Sequence, residues 1–176
     1  MTLPKVEVKK ILYATDLSEN ARFAFAYAVS LADLYSAAIT IIHVLPEVSE
    51  LLDKSVIGYI SAERWDEIKS QQMNEAKEAL IGKRREHLAI KEALHQFSED
   101  VKQQQKGAGF ATDEIIVERG NPVEEILKTA EERNCDLIVM GTHGQGTLAD
   151  VMLGSTARRV IRRSKIPVLV VRLPEA

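Results

Sequence analysis

The sequence is poor in cysteine and in aromatic residues: Cys135 is its only cysteine, and aromatic side chains make up 5% of it. One cysteine excludes an intrachain disulfide and a zinc site built from several cysteines. No apolar stretch approaches the roughly 20 residues of a membrane-spanning helix, and the first residues lack the apolar segment of a secretion signal. We therefore expect a cytoplasmic protein without membrane contact.

Excess charge of either sign is also absent. The 176 residues include 23 basic and 26 acidic side chains, which give a net charge of −3. This balance argues against a protein held to nucleic acid by bulk positive charge, but it leaves open a small phosphate ligand bound by local donors. The length and the 45% hydrophobic content suit one globular domain spanning residues 1–176.

Short apolar runs, several of them rich in β-branched residues, predict five strands. They are Lys10–Ala14, Ala38–Val44, Thr112–Val117, Asp136–Met140 and Val168–Arg172. Continuous apolar runs are typical of strands covered on both faces. With helical patterns between them, they predict an α/β fold: a Rossmann-like, open, doubly wound, mainly parallel five-stranded sheet with helices on both faces.

Capping signals predict where the helices between these strands begin. Ser18 begins a helix that runs to about Tyr35, Asn121 and Pro122 begin another, and Ser155 begins the last. In the last helix we expect Ala157, Val160 and Ile161 to face inward. Residues 47–108 contain no strand pattern and predict a long helical crossover, made of two helices or of one helix broken near Gly82.

Glycines and hydroxyl residues cluster where a predicted strand ends and the last helix begins. Met140–Gly146 follows the fourth strand, and Gly154–Thr156 opens the helix. Ligands of open α/β sheets bind beyond the carboxyl ends of the strands. Glycine lets backbone N–H groups approach phosphate oxygens, and a helix N-terminus attracts anions. The segment therefore predicts two anion sites, one at each end of a loop.

Thr15 and Asp16 end the first strand, which in such a sheet lies beside the fourth. A carboxylate at this position can accept from a ribose hydroxyl or hold Mg²⁺ against phosphates. The alternative is that Asp16 caps the first helix or bonds to Ser18. Ser155 has a similar alternative, since a helix N-cap and a phosphate ligand use the same helix end.

Two common phosphate motifs are missing, and other polar residues carry weaker signals. The sequence has no G-x-x-x-x-G-K-[ST], and no G-x-G-x-x-G follows the first strand. We interpret His43 as a packed strand residue and His143 as a loop residue. The arginines and the lysine between residues 158 and 165 are interpreted as a solvated helix face.

Taken together, the spacing Gly141-x2-Gly144-x9-Gly154-Ser155 resembles the signature of ATP-binding universal stress proteins. The opening strand end Ala14–Ser18 and the closing run Ile166–Val171 are similar to that family as well. The resemblance covers roughly residues 5–46 and 110–173 by motif alignment.

This resemblance implies ATP as ligand, Mg²⁺ or Mn²⁺ with Asp16 as metal ligand, and a homodimer joined through the C-terminal strand 167–172. It implies an adenine pocket near Asp16 and Val44, with phosphates over the glycine segment. The implied binding residues are Ala14, Thr15, Asp16, Val44, Met140, Gly141, Thr142, His143, Gly144, Gly154, Ser155, Thr156 and Ala157.

Three functions remain open at this point. The first is a stress-response or regulatory protein whose nucleotide occupancy sets its conformation or its partners. The second is a slow ATPase or phosphotransferase, although the glycine segment contains no lysine and no evident base. The third is an interaction scaffold that uses the 47–108 crossover without nucleotide. The pattern does not separate ATP from AMP or a cyclic nucleotide.

Overall fold

The structure is a computed structural model that describes residue 3 and residues 5–45, 62–104, 110–142 and 153–172, with the helix but not the side chains for 62–80. The strands are β1 Lys10–Thr15, β2 Ala38–Leu45, β3 Ala111–Arg119, β4 Leu137–Gly141 and β5 Val168–Val171. The helices are α1 Glu19–Tyr35, α2 Ala62–Gln104, α3 Pro122–Glu132 and α4 Ser155–Arg163.

The five strands form one parallel sheet in the order β3-β2-β1-β4-β5. The predicted fold class is confirmed, and each predicted strand bound lies within two residues of the observed one. The chain builds the sheet outward from β1 to β3, then crosses back to place β4 on the other side of β1. This reversal between β1 and β4 creates the crevice in which ligands of such sheets bind.

Side-chain caps begin two of the helices as predicted. The Ser18 hydroxyl accepts from the Ala21 N–H in α1, and the Asn121 side chain accepts from the N–H groups of Val123 and Glu124 in α3. The prediction of Ser155 as an N-cap is wrong. Gly154 is the N-cap of α4 and Ser155 is its first helical residue, and no side chain of the described residues caps this helix.

Helix α2 is a single helix of 43 residues, so the predicted division into two helices or a break near Gly82 is wrong. A glycine inside a helix costs only about 1 kcal/mol relative to alanine. The C-terminal half of α2 recovers this cost by packing Leu94 and Phe97 against the sheet. The remaining part of the predicted 47–108 crossover, residues 47–61 and 105–108, lies outside the described residues.

Two apolar layers cover the two faces of the sheet. Helices α1 and α2 cover one face, where the Phe25 ring packs at a tilt against Tyr13 and Phe97, with ring centroids 4.8 and 5.1 Å away. Helices α3 and α4 cover the other. The prediction that Ile161 faces inward is wrong. It is 45% exposed, because a neighbour of the buried Val160 lies about 100° away around a helix.

Candidate functional site

A cleft of about 260 Å³ lies at the carboxyl ends of β1, β2 and β4, above the reversal of the sheet. Three separate segments, 14–16, 140–142 and 154–157, meet there. The lining residues are Ala14, Thr15, Asp16, Ala21, Ile42, Val44, Pro122, Ile126, Met140, Gly141, Thr142, Gly154, Ser155, Thr156 and Ala157.

All of the described residues among those expected to bind ligand lie on this cleft. The two others, His143 and Gly144, lie outside the described residues. Ala21, Ile42, Pro122 and Ile126 also line the cleft, although they are absent from the set expected from the sequence. A signal existed for Ile42, since residues two apart in a strand point to the same face and Val44 was expected in the site.

The turn after β1 brings the Asp16 side chain to the cleft. The Ser18 N–H donates to Asp16 Oδ1 at 3.1 Å, and the Leu17 N–H donates to Thr15 Oγ1 at 3.0 Å. Leu17 has a φ of 67°, a left-handed conformation that is costly for a residue with a side chain. The expected contact of Asp16 with Ser18 is therefore present, and it fixes the direction of the carboxylate.

His43 supports the same turn from the opposite face of the sheet. Its Nδ1 lies 2.8 Å from the carbonyl oxygen of Thr15 in a buried position. Since a carbonyl oxygen only accepts, Nδ1 carries a proton and donates, which leaves Nε2 as the acceptor in the neutral ring. His43 is absent from the cleft lining and acts as a packed, hydrogen-bonded residue, as we interpreted it from the sequence.

Asn20, which is not among the residues expected from the sequence, joins α1 to the end of β4. It is buried, and its Nδ2 donates to Thr142 Oγ1 at 3.1 Å. Gly141 makes this approach possible: a Cβ there would meet Asn20 Nδ2 at 3.1 Å and the Asn20 backbone carbon at 3.3 Å. The available signal was the position of Asn20, four and eight residues before the buried Ala24 and Ala28 on α1.

Two backbone donors near the cleft are already used inside the protein. The Thr142 N–H donates to the Val171 carbonyl at 2.9 Å, and the Gly154 N–H donates to the Thr142 carbonyl at 2.7 Å. The sequence predicts that glycine N–H groups approach phosphate at both ends of the segment. For Gly154 that expectation is wrong, because its N–H closes the segment instead.

The donors that remain lie one residue further along, in the first turn of α4. Within the described residues, the N–H groups of Ser155, Thr156 and Ala157 make no hydrogen bond, and no side chain caps them. The hydroxyl groups of Ser155 and Thr156 lie at the same point. Together with the positive end of the helix dipole, they form a cluster of anion-attracting donors.

Part of the cleft lining, called the apolar floor below, consists of Ala14, Ile42, Val44, Ile126 and Met140. The rest of the lining includes the hydroxyl groups and the Asp16 carboxylate. Most small-molecule sites combine an apolar wall with a few placed polar groups in this way. The arrangement can hold a flat apolar ring inside and negative charge at the end formed by α4.

The described residues contain no group of three or more His, Cys, Asp or Glu side chains that could hold a metal ion. Asp16 is the only titratable side chain among the described residues that line the cleft. Mg²⁺ bound with phosphates often uses one or two carboxylates and takes its other ligands from phosphate and water. The donors present therefore suit a cation that arrives with a phosphate ligand.

A family model described as the universal stress protein family matches residues 7–172. This chain belongs to the universal stress protein family. Universal stress protein MJ0577 of Methanocaldococcus jannaschii is 33% identical to it over 95% of this chain and 96% of the relative. Universal stress protein YxiE of Bacillus subtilis is 32% identical over 93% of this chain and 98% of the relative.

Solved structures of this family share the fold. The structure of MJ0577 aligns with a TM-score of 0.61 at 33% identity, covering 97% of this chain and all 100% of that one. UspA from Lactobacillus plantarum aligns with a TM-score of 0.63 at 25% identity, covering 96% and 100%. A universal stress protein in complex with cAMP aligns at 0.56 with 23% identity, covering 94% and 98%, and shows the likeness of fold alone.

Among the described residues, no helix is both long enough and apolar enough to cross a bilayer. Helix α2 has the length, but charged and polar residues run along its whole sequence.

Proposed function

We propose that this universal stress protein binds ATP in the cleft between β1 and β4 and acts as a cytoplasmic, stress-response regulatory protein. The observation that carries the proposal is the meeting of three segments at one cleft: the Asp16 turn, the end of β4 and the first turn of α4. Each contributes a different kind of contact, and a nucleotide needs all three. The family resemblance of the glycine segment supports ATP as the ligand.

The chemistry of the lining suggests how the nucleotide lies. The adenine ring fits against the apolar floor of Val44, Ile126 and Met140, where burial of a flat ring is favourable. The Asp16 carboxylate accepts from a ribose hydroxyl or contacts a phosphate-bound cation. The phosphates lie over Ser155 and Thr156, where the uncapped N–H groups of α4 gain the acceptors that they lack.

Mg²⁺ or Mn²⁺ belongs to the same proposal. When bound, the cation neutralises phosphate charge, and Asp16 is the side chain of this cleft that would contact it. The absence of a three-residue metal cluster among the described residues fits a cation held chiefly by the nucleotide. His143 and Gly144 complete the proposed set of binding residues.

The backbone of Thr142 links the cleft to the edge of the sheet through two hydrogen bonds. Its carbonyl accepts from Gly154 beside the proposed phosphates, and its N–H donates to Val171 at the end of β5. β5 is an edge strand whose residues Val168–Val170 are only half-buried, so it can pair with the same strand of a second chain. We propose a homodimer through residues 167–172 in which nucleotide occupancy sets conformation or partner binding.

The described lining residues do not favour fast hydrolysis of ATP. A general base must lie within hydrogen-bond reach of the attacking water, and Asp16 is the one titratable side chain among the described lining residues. If Asp16 contacts the ribose or a cation, no described group of the cleft remains to serve as base. Any ATP hydrolysis is therefore expected to be slow.

Asp16→Asn tests the proposal by calorimetric titration of nucleotide-free protein with ATP and Mg²⁺. The asparagine keeps an oxygen that accepts from the Ser18 N–H, so the turn stays intact while the charge is lost. We expect wild type to release heat at one site per chain and Asp16→Asn to bind more weakly. Asp100→Asn, an exposed change on α2, is the matched control and should bind like wild type.

Two further titrations test which nucleotide the cleft binds. AMP and cAMP are titrated under the same conditions, because the family includes a protein solved with cAMP. If wild type gives heat with cAMP and none with ATP, the cleft binds a cyclic nucleotide. If it gives no heat with any of the three, the nucleotide-binding proposal is wrong.

A further inference from the structure

The basic cluster of α4 and its C-terminal extension divides into two groups with different surroundings. Arg163 pairs with Glu124 at 2.5 and 3.0 Å, and Lys165 pairs with Glu131 at 3.0 Å. These two cations join α4 to α3. Arg158, Arg159 and Arg162 are exposed and have no acidic partner among the described residues.

These three arginines stand out against the charge of the whole molecule. The chain carries a net charge of −3, and its acidic side chains outnumber the basic ones. Three cations without partners on nine residues of helix repel one another. The first turn of α4 contains no acidic residue that could offset them. A patch of three positive charges attracts anionic ligands, and a bound anion would reduce the repulsion among the arginines.

Helix geometry separates Arg158 and Arg159 from Arg162. Side chains on an α-helix lean toward its N-terminus and cover the turn before their own Cα. Arg158 and Arg159 lie three and four residues after Ser155, so they lean over the turn that borders the cleft. Arg162 covers the turn that contains Arg158 and Arg159, one turn further from the cleft.

We propose that Arg158 and Arg159 form a phosphate clamp at the mouth of the cleft and make the site selective for nucleoside triphosphates over adenosine, AMP and cAMP. This inference rests on the proposed function. The N–H groups of Ser155 and Thr156 bind the phosphate nearest the helix, and the two guanidinium groups bind those that extend into solvent. Guanidinium is well matched to phosphate, since its donors form a fixed fork.

The clamp makes binding depend on phosphate number. Adenosine and cAMP do not reach the arginines, AMP reaches them in part, and ATP engages both. A charge-assisted hydrogen bond contributes enough to raise affinity by about ten- to hundredfold. The contribution of exposed arginines is also reduced by salt.

The experiment measures the dissociation constants of adenosine, AMP, cAMP and ATP with Mg²⁺ by calorimetry, at low and at moderate KCl. The variant is Arg158→Gln with Arg159→Gln, and the matched control is Arg162→Gln. All three side chains are exposed and have no ion-pair partner within the described part of the chain, so both proteins should fold, which circular dichroism and urea unfolding check. Arg158→Lys with Arg159→Lys tests whether charge alone restores binding.

We expect the double glutamine variant to lose at least about tenfold in ATP affinity and to bind adenosine as wild type does. Its ATP affinity should also depend less on salt. Arg162→Gln should behave like wild type, and the double lysine variant should recover only part of the affinity, because lysine lacks the forked donors.

Two results would overturn the inference while nucleotide binding stands: an unchanged ratio of ATP to adenosine affinity in the double glutamine variant, or an equal loss in Arg162→Gln. If wild type binds neither adenosine nor ATP, both the inference and the proposed function are wrong.

Discussion

The backbone N–H of Gly154 donates to the carbonyl oxygen of Thr142 at 2.7 Å, so the two ends of the glycine segment meet at one hydrogen bond. Thr142 in turn donates its N–H to Val171 in the edge strand β5. Thr142 and Gly154, which flank the part of the segment outside the described residues, are thus bonded to each other, and Thr142 is also bonded to the sheet. The first turn of α4 lies at the cleft, and among the described residues its N–H groups without a hydrogen bond begin at Ser155.

Gly141→Ala should destabilise the protein by about 1–3 kcal/mol, as overpacking in a filled site does. The added Cβ would meet Asn20 Nδ2 at 3.1 Å and the Asn20 backbone carbon at 3.3 Å. Asn20 cannot move away easily, because its side chain is buried and bonded to Thr142. Urea unfolding followed by circular dichroism measures the change.

Gly82→Ala is the matched control for that substitution. Nothing lies within 4 Å of a Cβ at this position in α2, and alanine is the better helix former. We expect unchanged stability or a gain of up to about 1 kcal/mol. If Gly82→Ala destabilised the protein as much as Gly141→Ala, close packing at Gly141 would not be the cause.

Ser18→Ala and Ser155→Ala should differ although both serines lie at helix starts. Ser18 caps α1 by accepting from Ala21, so its loss should cost about 1 kcal/mol of stability. Ser155 caps nothing and is exposed, so Ser155→Ala should leave stability within about 0.5 kcal/mol. If the phosphate proposal holds, only Ser155→Ala of the two weakens ATP binding directly, which calorimetry on both folded variants will show.

Leu17→Gly should stabilise the free protein and weaken nucleotide binding. Leu17 has a φ of 67°, where a side chain costs about 1 kcal/mol and glycine does not. The same change loosens the turn that directs Asp16. Ser36→Gly, at a φ of 54° in the C-cap of α1, relieves a similar conformation away from the cleft. It should stabilise the protein without changing the affinity for ATP, and a loss of affinity there would count against this account.

Cys135 should resist thiol reagents until the protein unfolds. Burial raises the pKa of its thiol from 9.0 to about 11, and the reactive species is the thiolate. The folded chain keeps this proton to higher pH than the unfolded chain. The thiol therefore lowers stability as pH rises from about 9 toward 11. Labelling at pH 8 should be slow without urea and fast in it, and rapid labelling of native protein would contradict the burial.

The strands could be predicted from the sequence because their residues carry the signal locally. Runs such as Ala38–Leu45 and Leu137–Gly141 are apolar at nearly every position, which a doubly covered parallel strand requires. The N-caps Ser18 and Asn121 could be predicted for the same reason, because each bonds to N–H groups only two or three residues away. Glycine spacing likewise identified the segments that border the cleft, because glycines are placed where backbone must approach backbone or ligand.

Features that depend on tertiary contacts could not be predicted from the sequence. The predicted break at Gly82 assumed that one glycine outweighs a helix, whereas packing of the following turns on β3 holds α2 together. The partnership of Asn20 with Thr142 spans 122 positions, and no local pattern encodes it. The division of the basic cluster depends on where Glu124 and Glu131 lie on α3, which only the fold defines.

The most direct test of the central claim is a crystal structure of the protein grown or soaked with ATP and Mg²⁺. The account predicts the adenine against Val44 and Met140, the ribose beside Asp16, and phosphate oxygens within hydrogen-bond distance of the Ser155 and Thr156 N–H groups. Nucleotide bound at another surface, with the cleft between β1 and β4 left to water, would contradict it.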